Sequence, residues 1–328
     1  MKAARVKKFG TLTLDDIPEP EPKAGELQVR VHASSVNPVD LETLSGDNKP
    51  MMPVKRPFVL GVDVAGVVSK VGDGVSGFAE GDRVVGYTGV PRPGAFAEVV
   101  CHPAQIFAKL PDAVSFEDAA VLALAGLAAK QLLDRLELGP GDSVLIIGAA
   151  GAVGTAAVQI AKDRDYAVTV SVHSRDAERM EALGVEKVFS YDQEPFRRSD
   201  KRYTGVVDLV GSDALSEAYN RLNDEGRVAT AKGVPTIGEL KRAGFKVGFF
   251  TGRALVTART FLRPPGGIPQ YAIVAGPDAA GLTELMDKVA EGRLKATVAH
   301  TVSLDELPEM VARIKKRELS GKVLVSFT

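Results

Sequence analysis

Two rhythms of apolar and polar positions divide the chain. Up to about residue 120 the apolar runs are short and separated by turn residues: Leu27-Gln28-Val29-Arg30-Val31 alternates, and Val64-Ala65-Gly66-Val67-Val68 and Arg83-Val84-Val85-Gly86-Tyr87 read as brief strands. Gly72, Gly74, Gly77 and Gly81 crowd between Val71 and Asp82, which predicts tight turns in an antiparallel β module. From about residue 121 the spacing becomes helical, in AVLALAGLAAKQLLDRL, and stops near Gly139-Pro140-Gly141. An uninterrupted apolar run, Val144-Leu145-Ile146-Ile147, then suits a strand buried on both faces. Strands are predicted at Tyr166–Val172, Lys187–Tyr191, Val206–Val210 and Arg227–Thr230, with a helix at Ala177–Leu183 stopped by Gly184. This alternation predicts an α/β, doubly wound parallel sheet. Further on, Leu282–Val289 and Leu304–Ile314 read as helices and Lys322–Phe327 as a closing strand, expected to rejoin the N-terminal module. Lys232–Gln270, with its Gly, Pro and interspersed basic residues, gives no readable period.

The chain is organised around SVLIIGAAGAVGTAAVQIAK, Ser143–Lys162. Glycines at Gly148, Gly151 and Gly154 separate the buried strand from Ala156-Ala157-Val158-Gln159-Ile160-Ala161, whose small and apolar residues suit a helix on a sheet. A strand, a glycine turn and a helix let backbone approach a bound group and aim free N–H groups at an anion, usually a pyrophosphate. The spacing is G-x-x-G-x-x-G, one residue off the strict dinucleotide pattern. The competing reading is a helix that needs small residues for close packing.

Composition narrows the classes. At 328 residues two compact units are expected. Lys plus Arg total 41 and Asp plus Glu 42, for a net charge of −1 without a basic block, so nucleic acid and anionic membranes are not expected partners. A single cysteine, Cys101, excludes an internal disulfide and a thiolate zinc cluster. The charged start MKAARVKKFG and the lack of a long apolar run predict a soluble, cytoplasmic protein without a membrane span.

Several motifs stand in order: Ser35-Val36-Asn37-Pro38-Val39-Asp40, Leu60-Gly61-Val62-Asp63-Val64-Ala65-Gly66-Val67-Val68, Val71-Gly72, Gly81-Asp82-Arg83-Val84, the Gly148–Gly154 turn, and Gly321-Lys322-Val323. With them the chain resembles the medium-chain dehydrogenase/reductase superfamily over nearly its whole length. The branch it resembles is that of the zinc-independent quinone oxidoreductases and related alkenal/enone reductases. The resemblance implies a GroES-like β-rich catalytic domain at 1–122, a Rossmann NADP-binding domain at 123–268 and a return to the catalytic domain at 269–328, with NADPH in the cleft. It also implies a homodimer.

Zinc-dependent members use a Cys, a His and Glu in G-H-E, and a four-cysteine lobe. Here Asn37 stands at the first Cys position, Gly61-Val62-Asp63 replaces G-H-E, and Gly81–Gly94 is short and cysteine-free, so no metal is expected. His32, His102, His173 and His300 show no ligand spacing and are expected at the surface or hydrogen-bonded.

NADP is favoured over NAD because Ser171-Val172-His173-Ser174-Arg175-Asp176 lacks an acidic residue at the end of the second strand. Ser174 and Arg175 suit a 2′-phosphate, and Tyr191 matches a tyrosine that the family uses beside it. The alternative is that Arg175 solvates the next helix, and Asp176 leaves room for NAD. The expected cofactor set is Gly148, Ala149, Ala150, Gly151, Ala152, Val153, Gly154, Ser174, Arg175, Tyr191, Gly211 and Lys322.

Without a metal to polarise an alcohol, reduction of a quinone or conjugated carbonyl is the expected reaction, on a small-molecule substrate. Asn37, at the family's active-site position, is the candidate that orients substrate or nicotinamide, and Tyr87 is the candidate donor. Asn37 before Pro38 also suits a turn, Tyr87 also suits the cleft wall, and Asp40 suits a helix cap. Leu122-Ala123-Leu124-Ala125-Gly126-Leu127-Ala128-Ala129 departs from the family's L-P-x-A-G-L-T-A, and Gly94-Ala95-Phe96-Ala97-Glu98 from G-G-Y-A-E. An NADPH-binding structural or regulatory protein and an alcohol dehydrogenase are the alternative functions.

Overall fold

The computed structural model describes residues 1–47, 55–245, 247 and 268–327. The chain divides into two compact units: Met1–Leu127 with Ala243–Phe245 and Gly276–Thr328, and Ala128–Arg242 with Lys246–Ala275.

The first unit begins with β1 (Lys2–Lys8), β2 (Thr11–Asp16), β3 (Glu26–Val36), α1 (Pro38–Ser45), β4 (Phe58–Val59), β5 (Asp63–Val71), β6 (Arg83–Tyr87), β7 (Val99–Pro103) and β8 (Phe107–Lys109). Helix α2 (Phe116–Asp134) follows, and its residues fall in both units. It starts before the predicted apolar run because Ser115 Oγ accepts the Asp118 N–H at 3.0 Å and caps it.

The second unit carries β9 (Ser143–Ile147), α3 (Ala152–Asp163), β10 (Ala167–Val172), α4 (Ala177–Glu181), β11 (Lys187–Ser190), β12 (Tyr203–Asp208), α5 (Ser212–Tyr219), β13 (Leu222–Thr230), α6 (Ile237–Arg242) and β14 (Gln270–Ala272). The chain then returns to the first unit through α7 (Ala279–Ala290), β15 (His300–Ser303), α8 (Leu307–Lys315) and β16 (Val323–Ser326). Of the unread Lys232–Gln270 stretch, residues 246 and 248–267 lie outside the described residues.

Among the described residues the first unit holds a seven-stranded sheet, ordered β15-β16-β3-β5-β6-β8 with β7 also on β3, and a three-stranded sheet, β2-β1-β4. Pairing is antiparallel except between β15 and β16. The alternation read at Leu27–Val31 does not mark a wet face: Gln28 is buried, and only Arg30 of the five is exposed. β3 is covered because β5, β7 and β16 all pair with it. Gln28 is accommodated by hydrogen bonds, Nε2 donating to Pro20 O at 2.7 Å and Oε1 accepting from Ser69 Oγ at 2.6 Å. The closing strand does rejoin this unit, with Val323 opposite Val36 and Val325 opposite Ser34. Val302, Leu307, Val323 and Val325 thereby share one core with Val6, Leu44, Leu60 and Phe96.

The second unit is the doubly wound sheet, all parallel, in the order β11-β10-β9-β12-β13-β14. Val144, Leu145 and Ile146 of β9 are fully buried, as an unalternating run requires. Ala156, Ala157 and Ala161 of α3 are buried as well, and α3 packs on β9 and β10. Strand β12 stops at Asp208, not at Val210. The buried Asp208 carboxylate accepts the N–H groups of Val210 (3.1 Å) and Gly211 (2.8 Å), turning the chain out of the sheet.

Candidate functional site

The sheet order changes direction between β9 and β12, and at such a switch point the strands' carboxyl ends form a crevice. The glycine turn lies there. Gly148 leaves β9 with φ +82°, a conformation glycine adopts readily, and its N–H donates to Ser171 O at 3.0 Å. A Cβ on Gly154 would lie 2.5 Å from both Ala149 Cα and Gly148 O, so this glycine is required by the turn itself. Gly151 differs. It is exposed, and among the described residues the nearest atom to a Cβ there would be Gly148 O at 3.8 Å, which leaves the front of the turn open to that distance. Gly151 also precedes α3 without a side-chain cap, so the first N–H groups of the helix face that space without one. The residues fit the pyrophosphate of a dinucleotide.

At the neighbouring strand ends two of the expected adenosine-side residues lie near one another: Ser174 comes just after β10 and Tyr191 just after β11, with His173 and Asp192 beside them. Tyr191 N–H donates to Val172 O at 2.9 Å, and its ring stands edge-on to His173 with centroids 5.7 Å apart. Ser174 is engaged by a residue given no role above: its N–H and Oγ donate to Asp192 Oδ1 and Oδ2 at 2.9 and 2.7 Å. The Ser174 hydrogen bond holds the Asp192 carboxyl below its usual range. Arg175 is 71% exposed, with Nε 3.6 Å from Asp176 Oδ2. Gly211 completes the edge, with φ +79°.

Two further residues organise this edge, Arg179 and Asp208. The Arg179 guanidinium reaches back to the glycine turn, donating to Ala150 O at 2.7 Å and Thr155 Oγ1 at 3.2 Å, and also to Asp176. Asp208 Oδ2 accepts from Thr230 Oγ1 at 2.6 Å and so ties β12 to β13. The only local signal of Asp208 is a single acid in an apolar run three residues ahead of Gly211, and nothing local signals Arg179.

In the first unit Asn37 and Tyr87 sit in a buried polar cluster with Ser35, Asp40, Asp63 and Lys322. Asn37 follows β3 at the start of α1, and both hydrogens of its amide are engaged. Nδ2 donates to Asp63 Oδ2 (2.7 Å) and Ser35 O (3.1 Å), and Oδ1 accepts from Lys322 Nζ (2.5 Å). Asp63 also accepts from Ser35 Oγ at 2.5 Å and Leu124 N–H at 2.9 Å, and lies 3.7 Å from Lys322 Nζ. Burial raises Asp63 and lowers Lys322, each drawn back by the other's charge. Asp40 is a cap, as its sequence position suggests: its Oδ2 accepts the Asn37 N–H at 2.8 Å. Its other oxygen is buried without a hydrogen-bond partner among the described residues, and burial pushes the carboxyl up to about 7. Tyr87 is fully buried; burial, then the Asp63 and Asp40 charges, raise its phenol, against a hydrogen bond from the Val90 backbone.

The histidine expectation needs one correction. His102 is buried, and its Nδ1 has no hydrogen-bond partner among the described residues; burial keeps it neutral, its pKa pushed down to about 3. No helix among the described residues is long and apolar enough to cross a membrane.

Comparison with known proteins agrees with this arrangement. Residues 23–112 match the alcohol dehydrogenase GroES-like domain and residues 183–325 a zinc-binding dehydrogenase domain. A chloroplastic quinone oxidoreductase of Triphysaria versicolor is 30% identical over 320 residues, covering 94% of this chain and 92% of that one. The solved quinone oxidoreductase of Coxiella burnetii superposes with a TM-score of 0.85 at 27% identity, over 100% of this chain and 99% of that one. Two further structures superpose over 100% of both chains: an NAD-dependent alcohol dehydrogenase (TM-score 0.81, 28% identity) and a mycobacterial protein complexed with NADPH (0.78, 26%).

Proposed function

The chain belongs to the quinone oxidoreductase branch of the medium-chain dehydrogenase/reductase superfamily, and from that membership we propose that it is an NADPH-dependent oxidoreductase that reduces quinones or α,β-unsaturated carbonyls without zinc. The observation that carries this reading is the glycine turn at the switch point of the parallel sheet, where among the described residues only Gly148 O would come within 4 Å of a Cβ on Gly151.

The bound, reduced nicotinamide supplies the hydride. Gly148–Gly154 and the start of α3 hold the pyrophosphate, and Gly211 borders the same edge. Tyr191 and Arg175 take the 2′-phosphate, Arg175 as an exposed guanidinium free to swing from Asp176. Likeness to a relative solved with NADPH supports the choice.

The donors of the first unit do not fit a metal ion. An ammonium, Lys322 Nζ, already lies against Asn37 Oδ1 and beside the Asp63 carboxylate, where a cation would have to sit. In its place Asn37, both of whose amide hydrogens are held by Ser35 O and Asp63, fixes Lys322 through Oδ1, and the Lys322 charge favours negative charge developing on a carbonyl oxygen. Tyr87 is the neutral donor, since its raised phenol stays protonated at neutral pH.

Steady-state kinetics with a quinone acceptor test the cofactor choice. Wild type is expected to show a lower KM for NADPH than for NADH, and Arg175→Ala to raise the NADPH value about tenfold while leaving NADH unchanged. An unaltered preference in the variant overturns the assignment.

A further inference from the structure

We propose that Asp192 is a specificity-determining residue: its carboxylate occupies, from within the chain, the anion position that Ser174 offers to a 2′-phosphate, and so weakens binding of 2′-phosphorylated nucleotides. The inference rests on the reading that a dinucleotide lies on the glycine turn. It does not depend on which nicotinamide cofactor the enzyme prefers.

Ser174 opens the turn after β10, the strand beside β9, whose end carries the glycines. It offers two donors on one side, the backbone N–H and the hydroxyl. Both are given to Asp192, at 2.9 and 2.7 Å, which is how a serine at the start of a turn holds a phosphate. The carboxylate keeps its charge, because the Ser174 hydrogen bond favours the ionised form.

The cationic groups of this edge do not cancel that charge. Arg175 Nε faces Asp176 at 3.6 Å, and Arg179 divides its donors among Ala150 O, Thr155 Oγ1 and Asp176. His173 Nδ1 lies 3.9 Å from Asp192 Oδ2, beyond hydrogen-bond distance, and faces the Arg175 backbone N–H at 3.2 Å. An arriving 2′-phosphate must displace Asp192 from Ser174 or settle beside a like charge. A free ribose hydroxyl meets no such conflict, since it donates to a carboxylate.

The test isolates the adenosine end with two probes, 5′-AMP and adenosine 2′,5′-bisphosphate, titrated calorimetrically into the full-length protein. Asp192→Asn removes the charge, and Asp192→Ala also frees Ser174. In both variants the bisphosphate is expected to bind about tenfold tighter than in wild type, while 5′-AMP stays within about threefold. Equal shifts for the two probes, or no tightening of the bisphosphate in either variant, overturn the proposal. A wild type that uses NADH alone removes the NADPH assignment and leaves this inference standing if the probe ratio still rises on substitution.

Discussion

Lys322 and Asn37 stand 285 positions apart and meet at 2.5 Å, and that contact decides what the asparagine can do. Turning the amide over would set Nδ2 against an ammonium and Oδ1 against the Asp63 carboxylate, so one orientation is fixed. The capping role of Asp40 was legible because it depends on neighbours close in sequence. The partner of Lys322 was not, since it exists only once β16 is laid along β3. The orphaned oxygen of Asp40 has a measurable consequence. Its carboxyl rises from 3.8 unfolded to about 7 folded, so its stabilising contribution is complete below pH 3.8 and is lost as pH rises through 7. Asp40→Asn keeps an acceptor for the Asn37 N–H but carries no charge. Urea unfolding is expected to show the variant more stable than wild type at pH 8 by roughly 2–4 kcal/mol, with the gain shrinking toward pH 4. A variant less stable than wild type at pH 8 would contradict this account of Asp40.

At the scale of elements, the strand, glycine turn and helix of Ser143–Lys162 were readable from the apolar run and the glycine spacing, because both are local. The individual jobs of the glycines were not, since each depends on what the fold sets opposite the missing Cβ. The structure separates them. Gly154→Ala drives a methyl to 2.5 Å from backbone atoms and is expected to lower stability by about 2 kcal/mol or more. Gly151→Ala, at φ −77° with no atom nearer than 3.8 Å, is expected to cost less than about 1 kcal/mol, yet to weaken NADPH at least tenfold. Thermal unfolding with and without NADPH distinguishes the two, and equal ligand stabilisation of Gly151→Ala and wild type would remove the cofactor from this turn. The alternation at Leu27–Val31 misled for a similar reason: Pro20 and Ser69, distant in sequence, meet the amide of a buried glutamine that periodicity assigns to water.

At the scale of the molecule, the chain builds one unit from both of its ends and a second from its middle. The parallel sheet supplies a place for a dinucleotide, and the first unit supplies an amide, a phenol and an ammonium buried with two carboxyls. The likeness to quinone oxidoreductases supports an oxidoreductase, and reduction of an acceptor without a metal is the reading proposed for it. The most direct test is NADPH oxidation at 340 nm with metal-free protein and a panel of 9,10-phenanthrenequinone, methyl vinyl ketone and a 2-alkenal, alongside the reverse assay of alcohols with NADP. The account predicts turnover of at least one quinone or conjugated carbonyl, undiminished by chelator, and none of simple alcohols. Tight NADPH binding without turnover of any acceptor, or activity confined to alcohols and restored by zinc, would contradict it.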